Sequence, residues 1–331
     1  MKTEMFIDLH LHLDGSLSLR SARRLAAIGK IDLPEDDEDL KRLLSCPSDC
    51  RDLNDYLRCF DLPCRLMQTS KSVKLAAYDL CRELKQKGYI YAEIRFAPQK
   101  HTDCGMTQED VVRAAISGIK TSHFNARLIL CCMRGSDNEK ENLETVRIAK
   151  KYLGKTVCAV DLAGAEAVYP NCGFKNIFDM AKKEGVLFTV HSGEALGPES
   201  VRTAVEFGAK RIGHGVRSAE DSGTVRLLTE KKITLEICPT SNLNTGIFGN
   251  ISEMPFRMLD ESGVLYTLNS DNMAVSDTDV KHETDAVKQT FGFGREFEKR
   301  MLLNAANAAF CDEKIRNKLI KKIESAYREK K

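Results

Sequence analysis

Residues 8–16 read DLHLHLDGS, with histidines at positions 10 and 12 inside a run otherwise apolar enough to be a buried strand. In a strand alternate side chains share a face, so His10 and His12 point the same way and could hold one ion. Seven further β-branched, apolar runs follow: YIYAEIRFAP (89–98), ARLILCCMRG (126–135), KTVCAVDLAG (155–164), VLFTVHSGE (186–194), KRIGHGV (210–216), TLEICPTS (234–241) and LYTLNSDN (265–272). Each is too apolar to be half-exposed, as expected of parallel strands covered on both sides.

Between these runs lie stretches whose apolar residues return every three or four positions, among them SVKLAAYDLCRELKQKG (72–88), QEDVVRAAISGIKTSHF (108–124), NLETVRIAKKYLG (142–154) and GPESVRTAVEFG (197–208). Strand and helix alternate. Parallel strands need helical crossovers, and eight such units close a sheet without an edge, so the pattern predicts an α/β fold, a (β/α)8 TIM barrel. The length fits a single barrel domain over residues 1–331. One connection departs from regularity: residues 15–88 contain SLRSARRLAAIGK, PEDDEDL and NDYLRCFDLPCRLM, enough for extra helices inserted after strand 1 and laid over the barrel mouth as a lid. The C-terminal segment EKIRNKLIKKIESAYREKK (313–331) reads as a solvated amphipathic helix.

Lys plus Arg number 50 against 48 for Asp plus Glu, so no global charge favours nucleic acid or an anionic membrane, and a small-molecule partner is expected. No apolar run reaches the roughly 18 residues of a membrane span, and MKTEMFIDLHLHLDG does not read as a secretory signal. A cytoplasmic location is therefore expected. There the twelve cysteines would be reduced thiols, and none forms a CxxC pair.

The unusual polar residues fall at carboxyl ends of the predicted strands: His10 and His12 on the first, His191 on the fifth, His214 on the sixth and Asp271 on the eighth. In a barrel of this kind that face carries the active site, so residues from distant segments converge. Three imidazoles and one carboxylate suit Zn²⁺, a donor set that cobalt or iron would also accept. Strand 4 ends in Asp161-Leu162-Ala163-Gly164, with no lysine to bridge a metal pair, so one ion is expected. Zn²⁺ lowers the pKa of a coordinated water to about 7 and so supplies a nucleophile. Glu194, three residues beyond His191, can lean over the site as general acid and base. His214 and Asp271 are placed to orient the nucleophile, with a metal-ligand role as the alternative for His214.

The motifs DLHLHLDGS, YAEIRFAP, VDLAGAE, HSGE, RIGHGV, EICPTSN and LNSD occur in this order, and over nearly the whole chain the sequence resembles the adenosine deaminases, a metal-dependent branch of the amidohydrolase superfamily. The resemblance implies His10, His12, His191 and Asp271 as zinc ligands, Glu194 as the group that protonates purine N1, and His214 as the group beside the attacking oxygen. It further implies substrate contacts from Asp14 to the ribose 5′-hydroxyl, from the Gly164 backbone to purine N3, from residue 272 to N7, and from His12. The implied reaction is hydrolytic deamination of adenosine and 2′-deoxyadenosine to inosine, or deoxyinosine, and ammonia, with the oligomeric state left open. Adenine deaminases usually carry Glu where HLHLDG has Asp14, which favours a nucleoside, and AMP deaminases are much longer. Free adenine or a 5′-modified adenosine is the alternative substrate, and a purine-binding protein without catalysis is a third reading. One position departs from the family: the usual SDDP or TDDP is here Ser270-Asp271-Asn272-Met273. Purine N7 is an acceptor, and an Asn amide donates to it at any pH, whereas a carboxyl must first be protonated.

Overall fold

A computed structural model describes residues 4–328. The strands are β1 (Phe6–His12), β2 (Tyr89–Phe96), β3 (Ala126–Met133), β4 (Val157–Ala163), β5 (Leu187–Phe188), β6 (His191–Ser192), β7 (Arg211–His214), β8 (Thr234–Ile237) and β9 (Leu265–Leu268). They pair in parallel in the orders β1-β2-β3-β4-β5 and β6-β7-β8-β9. Short β5 and β6 are two halves of one barrel stave, the first bonded to β4 and the second to β7. Across the break, Thr189 donates to the Val160 carbonyl at 3.1 Å and Gly213 to that of Val190 at 2.8 Å, so the ladder passes through. The barrel closes where Leu11 meets Asp271 in a parallel bridge, with His12 N donating to Asp271 O at 2.7 Å and Asp271 N to His10 O at 2.8 Å. All eight runs read from the sequence are staves of this barrel, the fifth in two pieces.

The helices are α1 (Leu19–Gly29), α2 (Asp37–Leu44), α3 (Leu53–Leu57), α4 (Asp61–Leu66), α5 (Ser70–Gln86), α6 (Gln108–Ser122), α7 (Glu139–Tyr152), α8 (Lys175–Glu184), α9 (Pro198–Phe207), α10 (Ser222–Lys231), α11 (Pro239–Asn244), α12 (Phe256–Glu261), α13 (Val280–Phe291), α14 (Arg295–Ala308) and α15 (Glu313–Tyr327). The long first connection thus holds α1 to α4 ahead of the crossover helix α5. Thr69 caps α5 by accepting from Ser72 N while the Ser72 hydroxyl accepts from Thr69 N, a reciprocal box that fixes where the insertion ends and the crossover begins. None of the described helices is long and apolar enough to cross a membrane.

One expectation needs correction. Helix α15 is not simply solvated: Leu319 and Ile323 are buried, in one cluster with Ile7 and Leu9 of β1 and Leu302 and Ala305 of α14. The lysines occupy its outer face while that apolar stripe covers the end of the barrel opposite the site; residues 329–331 of the segment lie outside the described residues.

Strand alternation sends Glu93 and Arg95 of β2, Asp161 of β4, Arg211 of β7 and Glu236 of β8 to the barrel interior, where all are buried. They satisfy one another. Arg95 donates to Asp161 at 3.0 Å and to Glu236 at 2.8 Å, and Arg211 donates to Glu93 at 2.6 Å and to Glu236 at 2.5 Å. The Arg211 guanidinium also stacks 3.7 Å from the Phe310 ring centroid. A charged layer so paired escapes most of the cost of burying single ions and forms a rigid floor beneath the site.

Candidate active site

The five residues singled out from strand ends do come together. His10 Nε2 lies 3.1 Å from His191 Nε2 and 3.3 Å from Asp271 Oδ1, and His12 Nε2 lies 3.2 and 3.4 Å from the same two atoms. Four donors around a tetrahedral ion at about 2.0–2.1 Å would stand roughly 3.3 Å apart, so these separations are those of a metal cage. The tautomers agree. His10 Nδ1 pairs with Glu236 Oε2 at 2.9 Å, and Asp161 Oδ2 is 2.9 Å from His191 Nδ1, though less well aligned. With the proton of His10 on Nδ1 toward Glu236 and that of His191 on Nδ1 beside Asp161, the two Nε2 lone pairs would face each other, a repulsive contact that a cation between them would turn into an attraction. Burial holds His12, His191 and His214 below the ordinary imidazole range, His12 and His214 well below; His10 is pulled down by burial and by Arg95, but its bonds to Asp271 and Glu236 outweigh these and raise it, so a cation would have to displace its proton. Burial alone would raise Asp271, yet the bonded His10 and the neighbouring imidazoles hold its carboxyl well below the usual range.

His214 also reaches the cluster, within 4.8 Å of His10, His191 and Asp271. Its Nδ1 is paired with the Asn242 side chain at 3.1 Å, and its Nε2 stands 3.6 Å from Glu194 Oε2. His12 Nε2 approaches His191 and Asp271 to 3.2 and 3.4 Å, whereas His214 Nε2 faces the acid, so His214 stands between cage and acid. Both His214 (φ 59°) and Asp271 (φ 56°) adopt left-handed backbone, which costs roughly 1–3 kcal/mol at each non-glycine residue. The surrounding ladder compels this conformation at the points where the two side chains must turn into the site.

Glu194 is 3% exposed, and burial raises its carboxyl well above the usual range, with Asp271 and Glu166 adding like-charge repulsion. Burial thus favours its protonated, uncharged form. The loop that carries it is clamped by Glu166, whose carboxylate accepts from the backbone N–H groups of Gly193 (2.8 Å), Glu194 (3.2 Å), Ala195 (2.7 Å) and Leu196 (2.9 Å) and from the Ser200 hydroxyl (2.5 Å). From the other side Arg134 donates to the His191 carbonyl at 2.6 Å and to Asn171 Oδ1 at 2.7 Å.

Asp14, Gly164 and Asn272 line, with His12 and Glu194, a cavity of about 390 Å³ over the cluster, of the size that takes a small organic ligand. Its outer wall is Leu53, Tyr56 and Leu57 of α3 with Phe60, so the insertion does cover the mouth. The Phe60 ring centroid is 6.3 Å from that of His12. Asp14 is buried, which pushes its carboxyl up to about 6. Gly164 has φ +108°, a conformation that leaves this backbone open to a ligand and disfavours any side chain. Glu166, Glu236, Asp161, Arg134 and Tyr56 received no role in the sequence reading. A charged residue inside an otherwise apolar strand, as at Glu236, was the available signal, since buried charge demands a partner.

A cage for a Lewis-acidic ion, with a buried carboxyl group beside it in a cavity on the C-terminal face of a barrel, is the working arrangement of metal-assisted hydrolases. The chain is of that class. A family model described as adenosine deaminase matches residues 6–326. The sequence is 46% identical over 330 residues to the adenosine deaminase of Haemophilus ducreyi, covering 97% of this chain and 96% of that one. The chain therefore belongs to the adenosine deaminase family and is an enzyme that deaminates adenosine. The fold is similar to that of an adenine deaminase from Arthrobacter aurescens (TM-score 0.86, 23% identity, 96% of this chain and 98% of that one). It is likewise similar to an amidohydrolase from Burkholderia ambifaria solved with bound Zn (TM-score 0.85, 18% identity, 97% and 90%).

Proposed function

We propose that one Zn²⁺ is held by His10, His12, His191 and Asp271, and that the enzyme converts adenosine and 2′-deoxyadenosine to inosine and deoxyinosine with release of ammonia. The observation that carries this reading is the four separations of 3.1–3.4 Å that link His10 and His12 Nε2 to His191 Nε2 and Asp271 Oδ1, with His10 Nδ1 bonded to Glu236 and His191 Nδ1 beside Asp161. The zinc bound by the amidohydrolase of similar fold supports the choice of metal. When bound, the ion supplies the Lewis acidity that makes water nucleophilic at neutral pH.

The remaining chemistry belongs to the side chains. Adenine C6 resists attack because addition breaks ring aromaticity, and a proton given by Glu194 to N1 as oxygen adds to C6 removes that obstacle. Glu194 can give it because burial favours the protonated acid. His214 stands beside the incoming oxygen, with Asp271 across from it, and the two orient attack on one face of the ring. Water supplies the oxygen that stays on C6, and its protons balance the departing NH3. Asp14 accepts from the ribose 5′-hydroxyl, the Gly164 N–H meets N3, His12 borders the ribose end, and an Asn272 N–H donates to N7. The whole chain acts as one barrel domain, and the twelve free thiols fit a reducing, cytosolic compartment. The test is a spectrophotometric assay of both nucleosides beside free adenine, before and after chelation. Nucleoside turnover that disappears with the metal and returns with Zn²⁺ is expected, and unchanged turnover in the metal-free protein contradicts the reading.

A further inference from the structure

Tyr56 is 2% exposed, on the short helix α3 of the insertion, and both it and Asn272 line the cavity. The Asn272 Nδ2 donates to the Tyr56 hydroxyl at 3.0 Å, and that hydroxyl is 2.7 Å from Ser276 Oγ. At the opposite end of the amide, Oδ1 has no hydrogen-bond partner and is pressed against Gly15, where a Cβ would come within 1.8 Å of it. The two ends of an Asn amide have nearly the same shape, so packing does not choose between them and hydrogen bonds must. A phenol has one proton. Donated to Ser276, it leaves the phenol oxygen as an acceptor, which selects the amide's NH2 end.

We propose that Tyr56, backed by Ser276, is a positioning residue that holds the Asn272 NH2 toward the purine, engaging one N–H itself and leaving the second for N7. The inference rests on the reading that Asn272 meets N7. Its consequence is that the insertion serves base recognition as well as covering the site. Without the Tyr56 hydroxyl the amide is free to turn Oδ1 toward the cavity, where it would face the N7 lone pair as one acceptor against another.

The test is the pair of inhibition constants for inosine and 7-deazainosine, which differ only in whether position 7 is an acceptor, measured against adenosine turnover by the metal-loaded enzyme. In the wild type inosine should bind about tenfold more tightly, the worth of one buried hydrogen bond. In Tyr56→Phe the ratio should fall to about twofold through weaker inosine binding, with 7-deazainosine nearly unaffected, since it never used the amide. Equal weakening of both ligands would mark a merely structural role and overturn the inference, as would an unchanged ratio. No discrimination in the wild type would overturn the N7 contact itself and the inference with it. Ser276→Ala leaves Tyr56 in place but frees its proton to turn toward the amide. A reduced ratio there supports the relay and an unchanged one overturns it, so the result does not depend on whether Tyr56→Phe folds.

Discussion

Replacing Glu166 by Gln removes one charge and almost no volume from the clamp under Glu194. In the wild type Oε1 accepts from Gly193 N and the Ser200 hydroxyl, while Oε2 accepts from three N–H groups, of Glu194, Ala195 and Leu196. The Gln amide does least damage with its NH2 in the Oε1 position, because the Ser200 hydroxyl can rotate to accept from it, being already 2.8 Å from Ser192 Oγ. Gly193 N–H then faces an NH2 and is left without a partner at a buried site. That loss costs about 1–3 kcal/mol, and three charge-assisted bonds weakened to neutral ones bring the total to roughly 2–4 kcal/mol. Loosening the loop also displaces Glu194, and misplacing a catalytic group by about 1 Å costs on the order of 10²-fold in rate. The assay is urea unfolding of the metal-loaded protein beside steady-state kinetics, with the rate effect expected in kcat more than in KM. A variant within about 0.5 kcal/mol and twofold of the wild type would refute the clamp, since an ordinary surface substitution does no more.

Glu194→Gln should fold and bind metal normally yet lose about 10²–10⁴ in turnover, measured by ammonia release, because an amide cannot give N1 its proton. The pH profile has two limbs of opposite sign. Glu194 is needed protonated and its carboxyl is raised, so activity is lost as pH rises through that raised value; Asp14 is needed ionised and lies near 6, so kcat/KM falls as pH drops below about 6. Asp14→Asn should flatten the acid limb and leave the alkaline one, as read from kcat/KM across buffers. Glu236→Gln should cost about 3–5 kcal/mol in unfolding experiments, because both Arg95 and Arg211 lose a buried countercharge. The same change replaces a charged acceptor of the His10 ring by a neutral amide and should weaken metal affinity about 10–100-fold in a chelator competition.

The barrel was readable because each buried parallel strand announces itself locally, as in ARLILCCMRG, and because helical periodicity fills the gaps. The site was readable to the extent that its residues stand at strand ends: His10, His12, His191, His214 and Asp271 were all found that way. Their supports were not. His10 and Glu236 are separated by 226 residues, and Asn272 and Tyr56 by 216, and no local spacing encodes a pairing that only barrel closure creates. Helix α15 shows the converse error. Its many lysines suggest a helix surrounded by water, while two buried side chains, Leu319 and Ile323, are enough to dock it under β1.

Metal analysis of the active enzyme bears most directly on the convergence of His10, His12, His191 and Asp271. Elemental analysis of the wild type and of His12→Ala and Asp271→Ala, paired with an anomalous-scattering crystal structure at the zinc edge, should give one zinc per chain in the wild type, seated among those four side chains, and strongly reduced zinc in both variants. Full activity without stoichiometric metal, or an anomalous peak seated elsewhere, would contradict it.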